Sequence, residues 1–299
     1  MRLSLVLIVF SFTHLVLAEE LGLNEEAFSL EASSADYGEI STVTDSRLRA
    51  QAGSESRLST TLNLFYSGGG LGRPLGSERP SLSNDSVPEV VHASGNIGAR
   101  YRVSPTQSVY LATGFYQEDP INEDDNRMEI NTPQITWNEA LRTDDVQLSL
   151  SYTLFITTIE SSREIGEVAT LGYSLNAINR LGGSRFQGGV TLRAFYTYYD
   201  SDSETHKPMQ INYGLGFSPH LQYDISDSMN AYTTLSLLSL NHFRSDDFFS
   251  FTRGQVSQSI GIGYGFRRDF YIAPYLTLNP TNISMDTVST NLSATINLF

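Results

Sequence analysis

The chain has 299 residues, no cysteine, 19 Lys and Arg against 33 Asp and Glu, and a formal net charge of −14. Without cysteine there is no disulfide framework, thiolate zinc site or cysteine nucleophile, and the acidic balance excludes nucleic acid, whose phosphates call for surplus Lys and Arg. An aromatic share of 11% is too high for a mostly disordered chain, and a mean hydropathy of −0.19 excludes a bundle of transmembrane helices.

In chain order, residues 1–18 come first: Arg2, an apolar block over 3–12, then Val16-Leu17-Ala18. A positive start, a short apolar core and a small-residue cleavage site read as a secretory signal peptide cut after Ala18. The block is too short to span a bilayer comfortably, and no Cys follows it to carry a lipid anchor. Residues 19–56 are acidic, with Glu19, Glu20, Glu25, Glu26, Glu31, Asp36 and Glu39 among Ser, Ala and Thr. They read as a periplasmic lead-in, or as a plug folded into a lumen.

From residue 57 the hydropathy repeats every two residues. Leu58, Leu62, Leu64 and Tyr66 alternate with Arg57, Ser59, Thr61 and Asn63. Val91, Ala93, Ile97, Ala99, Tyr101 and Val103 alternate with His92, Ser94, Asn96, Arg100 and Arg102. The spans 145–156 and 210–225 behave alike. Successive strand side chains point to opposite faces, so each span is a strand with one apolar and one polar face. Soluble strands cluster near 5–6 residues, whereas these runs match or exceed the roughly 9–11 that a tilted membrane strand needs. The spacing predicts an all-β fold, a transmembrane antiparallel up-and-down β-barrel over 57–299. A large soluble β-sandwich is the competing architecture.

The expected strand count follows from turns and parity. Short connections fall near 104–107, 178–185, 226–229 and 267–269; long or acidic ones cover 67–89, 117–127, 157–166, 200–208, 244–253 and 280–285. Such barrels keep short turns on one side and long loops on the other. The alternation closes only with a weak strand around 134–139. Twelve strands follow: 57–66, 91–103, 108–116, 129–139, 145–156, 167–177, 186–199, 209–225, 230–243, 254–266, 270–279 and 287–299. Ten or fourteen are the alternatives.

Two loops invite ligand readings. The acidic stretch 118–125 lacks the Gly and closing Glu of an EF-hand, and reads as a solvated loop facing lipopolysaccharide. The Gly68–Gly72 stretch precedes no helix with Lys-Ser/Thr and reads as a flexible external loop. No two His sit at a metal-holding spacing, so no metal and no cofactor is expected.

The polar face of such a barrel lines its lumen. That places Arg57, His92, Arg100, Arg102, Arg193, Asn212 and Gln222 inside, where arginines can form an electropositive constriction or pair with carboxylates of the wall. Tyr66, Tyr101, Tyr116, Tyr152, Tyr196, Tyr198, Tyr223, Tyr264 and Phe266 fall on the apolar face near strand ends, as headgroup-level aromatic girdles do. The terminal Phe299 resembles the closing aromatic of Gram-negative outer-membrane barrels. That resemblance implies recognition by the barrel-assembly machinery, and outer-membrane lipid and lipopolysaccharide as surroundings. In that class the last strand's apolar residues share the terminal residue's face; here Leu292, Ala294, Ile296 and Leu298 take the other one.

His92-Ala93-Ser94 resembles the His-x-Ser arrangement of outer-membrane phospholipase A, which implies a serine nucleophile with a histidine base. In that family the pair faces lipid, whereas His92 is expected to face inward, so no catalytic residue is assigned. The leading expectation is a porin-like passive channel for small polar solutes or ions. A non-conducting surface barrel for adhesion, envelope structure or partner binding is the alternative, and a lipid hydrolase a minor one. Oligomeric state is open.

Overall fold

The computed structural model describes residues 57–81, 89–121, 128–142, 146–181, 184–200, 207–247, 249–267, 269–285 and 287–298. The expected signal peptide and lead-in, the acidic positions 122–125 and the terminal Phe299 all lie outside the described residues.

Twelve strands form one antiparallel sheet closed on itself. They are β1 Leu58–Gly70, β2 His92–Arg102, β3 Gln107–Glu118, β4 Met128–Arg142, β5 Val146–Ile156 and β6 Glu167–Arg180. Then come β7 Phe186–Tyr199, β8 Ile211–Asp224, β9 in two segments (Met229–Ser236 and Leu238–Phe243), β10 Ser257–Arg267, β11 Phe270–Leu278 and β12 Ser289–Asn297. Neighbours in sequence are neighbours in the wall, and β1 pairs with β12 from Thr61↔Asn297 to Ser67↔Asn291. Closure removes the unpaired edges that an open sheet would present.

Local chemistry sets the connections. In the turn after β2, the Gln107 N–H donates to Ser104 Oγ at 3.1 Å and to the Ser104 carbonyl at 3.4 Å, so the side chain adds to the backbone closure. After β8, the Ile225 N–H donates to the Met229 carbonyl at 2.9 Å across Ser226-Asp227-Ser228. These turns mark one end of the barrel, the turn end. The long connections mark the other, the loop end, and carry a short helix α1, Glu160–Glu164. Gly68–Gly70 is a correction to the expected loop, because it continues β1. A Cβ at Gly69 would lie 3.2 Å from the Glu78 carbonyl and closer still to that of Arg73, so only glycine lets the following loop fold back there.

The wall is apolar outside and polar inside. Leu58 (60% exposed), Leu111, Ile130 (70%), Ile135, Leu215 and Ile262 form part of an exposed outer belt. The buried apolar cluster is small: Tyr271 and Ala273, with Tyr232 packed against them. Inside, polar side chains satisfy one another across strands. Thr61 Oγ1 donates to Asn297 Oδ1 (3.0 Å), Thr295 Oγ1 to Asn63 Oδ1 (3.0 Å), and Ser151 Oγ to Asn138 Oδ1 (2.8 Å). Thr136 pairs with Thr153 and Thr170 with Thr197, each at 3.0 Å. An exposed apolar belt of this extent marks a surface suited to an apolar surrounding, a membrane or a partner protein.

The least regular expected strand, β4, is also one of the longest, with 15 residues. Its register against β3 jumps from Ala112↔Gln134 to Gly114↔Asn131, placing one extra residue opposite β3. This bulge, beside Pro133, inverts the facing along the chain. Met128 and Ile130 point out on one side of it; Ile135 and Trp137 point out on the other.

Candidate functional site: the lumen of the barrel

The inward face follows from register. Asn63 of β1, Asn96 of β2, Gly114 of β3 and Gln134 of β4 lie on one luminal band, joined by pairings Asn63↔Asn96 and Asn96↔Gly114. Asn96 Oδ1 accepts from both Asn63 Nδ2 and the Tyr110 hydroxyl, each at 3.0 Å. Such neutral, mutually bonded groups make a wettable wall that keeps its shape.

The expected luminal residues do not converge on one point. Arg57 sits at the turn-end rim, where its Nε donates to the Arg102 carbonyl at 3.3 Å and its guanidinium lies 5.0 Å over the outward Tyr101 ring. Arg100 points inward above Tyr110, 5.8 Å from the ring, with its buried Nε lacking a hydrogen-bond partner among the described residues. Arg102, on the same face of β2, is 4% exposed. Gln222 lies across the barrel on β8 and donates to Asp224 Oδ1 at 2.9 Å. Gln187 Nε2 (2.7 Å) and Arg180 (3.4 Å) also hold that carboxylate. Arg193 is inward and solvent-exposed at mid-wall, opposite Gly216. Asn212 and His92 lie at the loop end. His92 Nδ1 donates to the Val90 carbonyl at 3.3 Å, and its ring stands 5.0 Å from Tyr116. Ser94 shares this inner face, but His92 bonds the main chain there.

The outer aromatics gather at two levels. Toward the turn end, Phe186–Tyr223 (4.7 Å), Tyr264–Phe266 (4.6 Å) and Phe266–Phe270 (5.1 Å) pack ring to ring, and Tyr101 lies at the same end on another part of the wall. Toward the loop end, Tyr196 meets Tyr198 at 4.8 Å, and the Tyr66 hydroxyl donates to the Pro74 carbonyl at 3.1 Å. Tyr152 lies between these levels, 5.3 Å from Tyr173. Tyr116 corrects the expectation. Paired with Ser94 and Glu129, it faces the lumen, and its neighbour Phe115 faces out.

Sequence patterning overlooked the inward aromatics Phe65, Tyr110, Phe155, Phe195, Tyr232, Tyr271 and Tyr275. Several rest on glycines of adjacent strands. A Cβ at Gly261 would fall 2.6 Å from Tyr275 Cβ and 2.7 Å from the Tyr232 ring, while Gly98 and Gly263 lie beneath Tyr110 and Tyr271. The legible signal was an aromatic residue and small residues sharing one polar strand face, as in Ser108, Tyr110, Ala112 and Gly114. At the loop end a cavity of about 410 Å³ opens along the inner side of β1 to β6. Among the described residues no group of three His, Asp or Glu is placed to hold a metal.

No protein-family model matches the chain, and no curated protein matches it. Among solved structures, an outer-membrane channel from Pseudomonas putida F1 aligns over 82% of this chain and 97% of its own, with TM-score 0.53 and 8% identity. A KdgM porin aligns over 80% and 99% (TM-score 0.46, 4% identity), and a NanC porin over 80% and 97% (TM-score 0.45, 8% identity). The first likeness shows a shared barrel fold.

Proposed function

We propose that this barrel sits in an outer membrane and acts as a passive channel for small polar solutes or ions. The observation that carries the reading is the inverted wall: an exposed apolar belt outside and self-satisfied Asn, Thr, Ser and Gln side chains inside. Twelve strands lie between the eight whose lumen side chains fill and the sixteen that leave a wide aqueous pore. Arg100 and Arg193 have no acidic partner among the described residues, whereas Asp224 is held by Arg180 and two amides. At mid-wall and toward the turn end these arginines favour small anions, while Glu129 and Glu167 bring negative charge to the loop end.

The test is single-channel recording of the refolded full chain in a planar bilayer. Steady, reproducible conductance steps support the channel; a folded barrel that passes no current refutes it. The second reading, a non-conducting surface barrel, draws on the tight inner wall toward the turn end, where Ser59, Thr61 and Asn230 are almost fully buried. If the full chain is silent, deleting residues 19–56 separates the two causes. Current appearing only then identifies the lead-in as a plug.

A further inference from the structure

The loop-end cavity has a chemistry distinct from the rest of the lumen. Two phenyl rings, Phe65 of β1 and Phe155 of β5, face inward on otherwise polar strand faces, and Phe65 is left 41% exposed there. Between them stand the Ser94 hydroxyl, the Gln134 amide and Asn96. Ser94 and Gln134 make no side-chain hydrogen bond among the described residues, although nearly every other wall hydroxyl and amide nearby is paired. Glu167 is the one charged side chain of the lining; its Oε1 accepts from Thr157 at 2.9 Å and from Thr170 at 3.4 Å.

The exposed Phe65 ring, bordered by unused donors and acceptors and joined in the lining by the half-buried Phe155, is costly to hydrate and suited to a ligand with both characters. We infer that this cavity is a binding subsite for an uncharged pyranose ring, its C–H face against Phe65 and Phe155 and its hydroxyls bonded to Gln134, Ser94 and Glu167. The negative π-face of a phenyl ring attracts the positive edge of C–H bonds. A sugar offers several hydroxyls to a short row of convergent polar groups. The volume falls at the low end of the roughly 300–1,000 Å³ range of small-molecule sites. Glu167 sets the charge, because a carboxylate here disfavours an acidic sugar. This inference rests on the channel reading, since the solute would meet the subsite on its way through the lumen.

The experiment is current block in a planar bilayer with the full chain, using D-glucose, its open-chain alcohol sorbitol, and glucuronate. Conductance before any addition tests the channel alone. Glucose is expected to reduce the current saturably and more than sorbitol at equal concentration. Glucuronate is expected to bind more weakly, and Glu167→Gln to narrow that gap. Replacing Phe65→Ala together with Phe155→Ala should weaken the glucose effect about tenfold, the scale of lost aromatic contacts, without closing the channel. A conducting wild type showing equal effects of glucose and sorbitol, or block unchanged in the double variant, overturns the subsite. If the wild type does not conduct, the channel reading fails separately. Saturation-transfer NMR of glucose with the detergent-folded barrel then decides the subsite: transfer lost in the double variant supports it, and no transfer overturns it.

Discussion

At the scale of single residues, what matters is which face of the wall a side chain occupies. Leu215 lies outward and exposed at mid-strand, and Ser151 lies inward, bonded to Asn138. Leu215→Arg should cost about 2–4 kcal/mol in a lipid refolding titration, whereas Ser151→Arg should cost about 1 kcal/mol, one hydrogen bond. Equal costs would contradict the inside-out wall. The glycine seats make a second residue-level case. Gly261→Ala should destabilise by about 1–3 kcal/mol, because the Tyr275 Cβ that its new methyl meets is fixed to backbone. Gly72→Ala meets nothing within 4 Å and should stay within about 0.5 kcal/mol. Period-two reading recovered Leu215 and Ser151 because alternation is a local property. It misassigned Tyr116 and overlooked Tyr271 because an inward ring is tolerated only where the next strand supplies a small residue, and that pairing is set by register.

At the scale of elements, bulges and loop locks decide what a local pattern cannot. β4 was the weakest expected strand because its extra residue inverts the alternation partway, so no single period-two template fits it. Deleting Thr132, at the bulge, should leave Ile130 and Ile135 outward and still give a folded, heat-modifiable band on a gel. Deleting Thr136, where β4 and β5 pair regularly through Thr136↔Thr153, should turn one half of the strand inside out and abolish that band. The loop end has its own anchor. Gln210, 0% exposed, donates to the Ile165 carbonyl and accepts from Arg244 at 2.8 Å, and Arg244 lies 5.5 Å over the Tyr199 ring. Gln210→Ala should therefore speed proteolysis in 157–166 and 244–247 while the barrel strands keep their hydrogen-exchange protection. Unchanged cleavage would remove Gln210 from that role. Period-two patterning puts Gln210 on the polar, luminal face at the start of the 210–225 strand and cannot show its anchoring role, since its partners Ile165 and Arg244 come from loops far along the chain.

At the scale of the whole molecule, closure and charge placement bear on the proposed permeation. Arg100 and Arg102 occupy β2 at the turn end, and the Asp224 network occupies β8, six strands away around a wall of twelve. If the arginines set the proposed selectivity, Arg100→Glu with Arg102→Glu should shift the reversal potential under a salt gradient toward cations. An unchanged permeability ratio would exclude them as the selective groups. The shift should shrink at high salt, where the Debye length is only about 3 Å at 1 M.

The sequence by itself determined the inverted barrel, because strand length, two-residue alternation and the order of short and long connections are all local properties of the chain. It also required an even strand number and favoured twelve over ten or fourteen, because an up-and-down wall closes only when turn classes alternate to the end; the closed sheet settles the count at twelve. The tertiary structure decided the interior: which polar groups neutralise one another, which aromatics turn inward onto glycines, and where the lumen widens into a cavity. The physical reason is that each of these depends on pairs of residues brought together across strands, and the register that pairs them shifts at bulges whose position no repeating pattern marks.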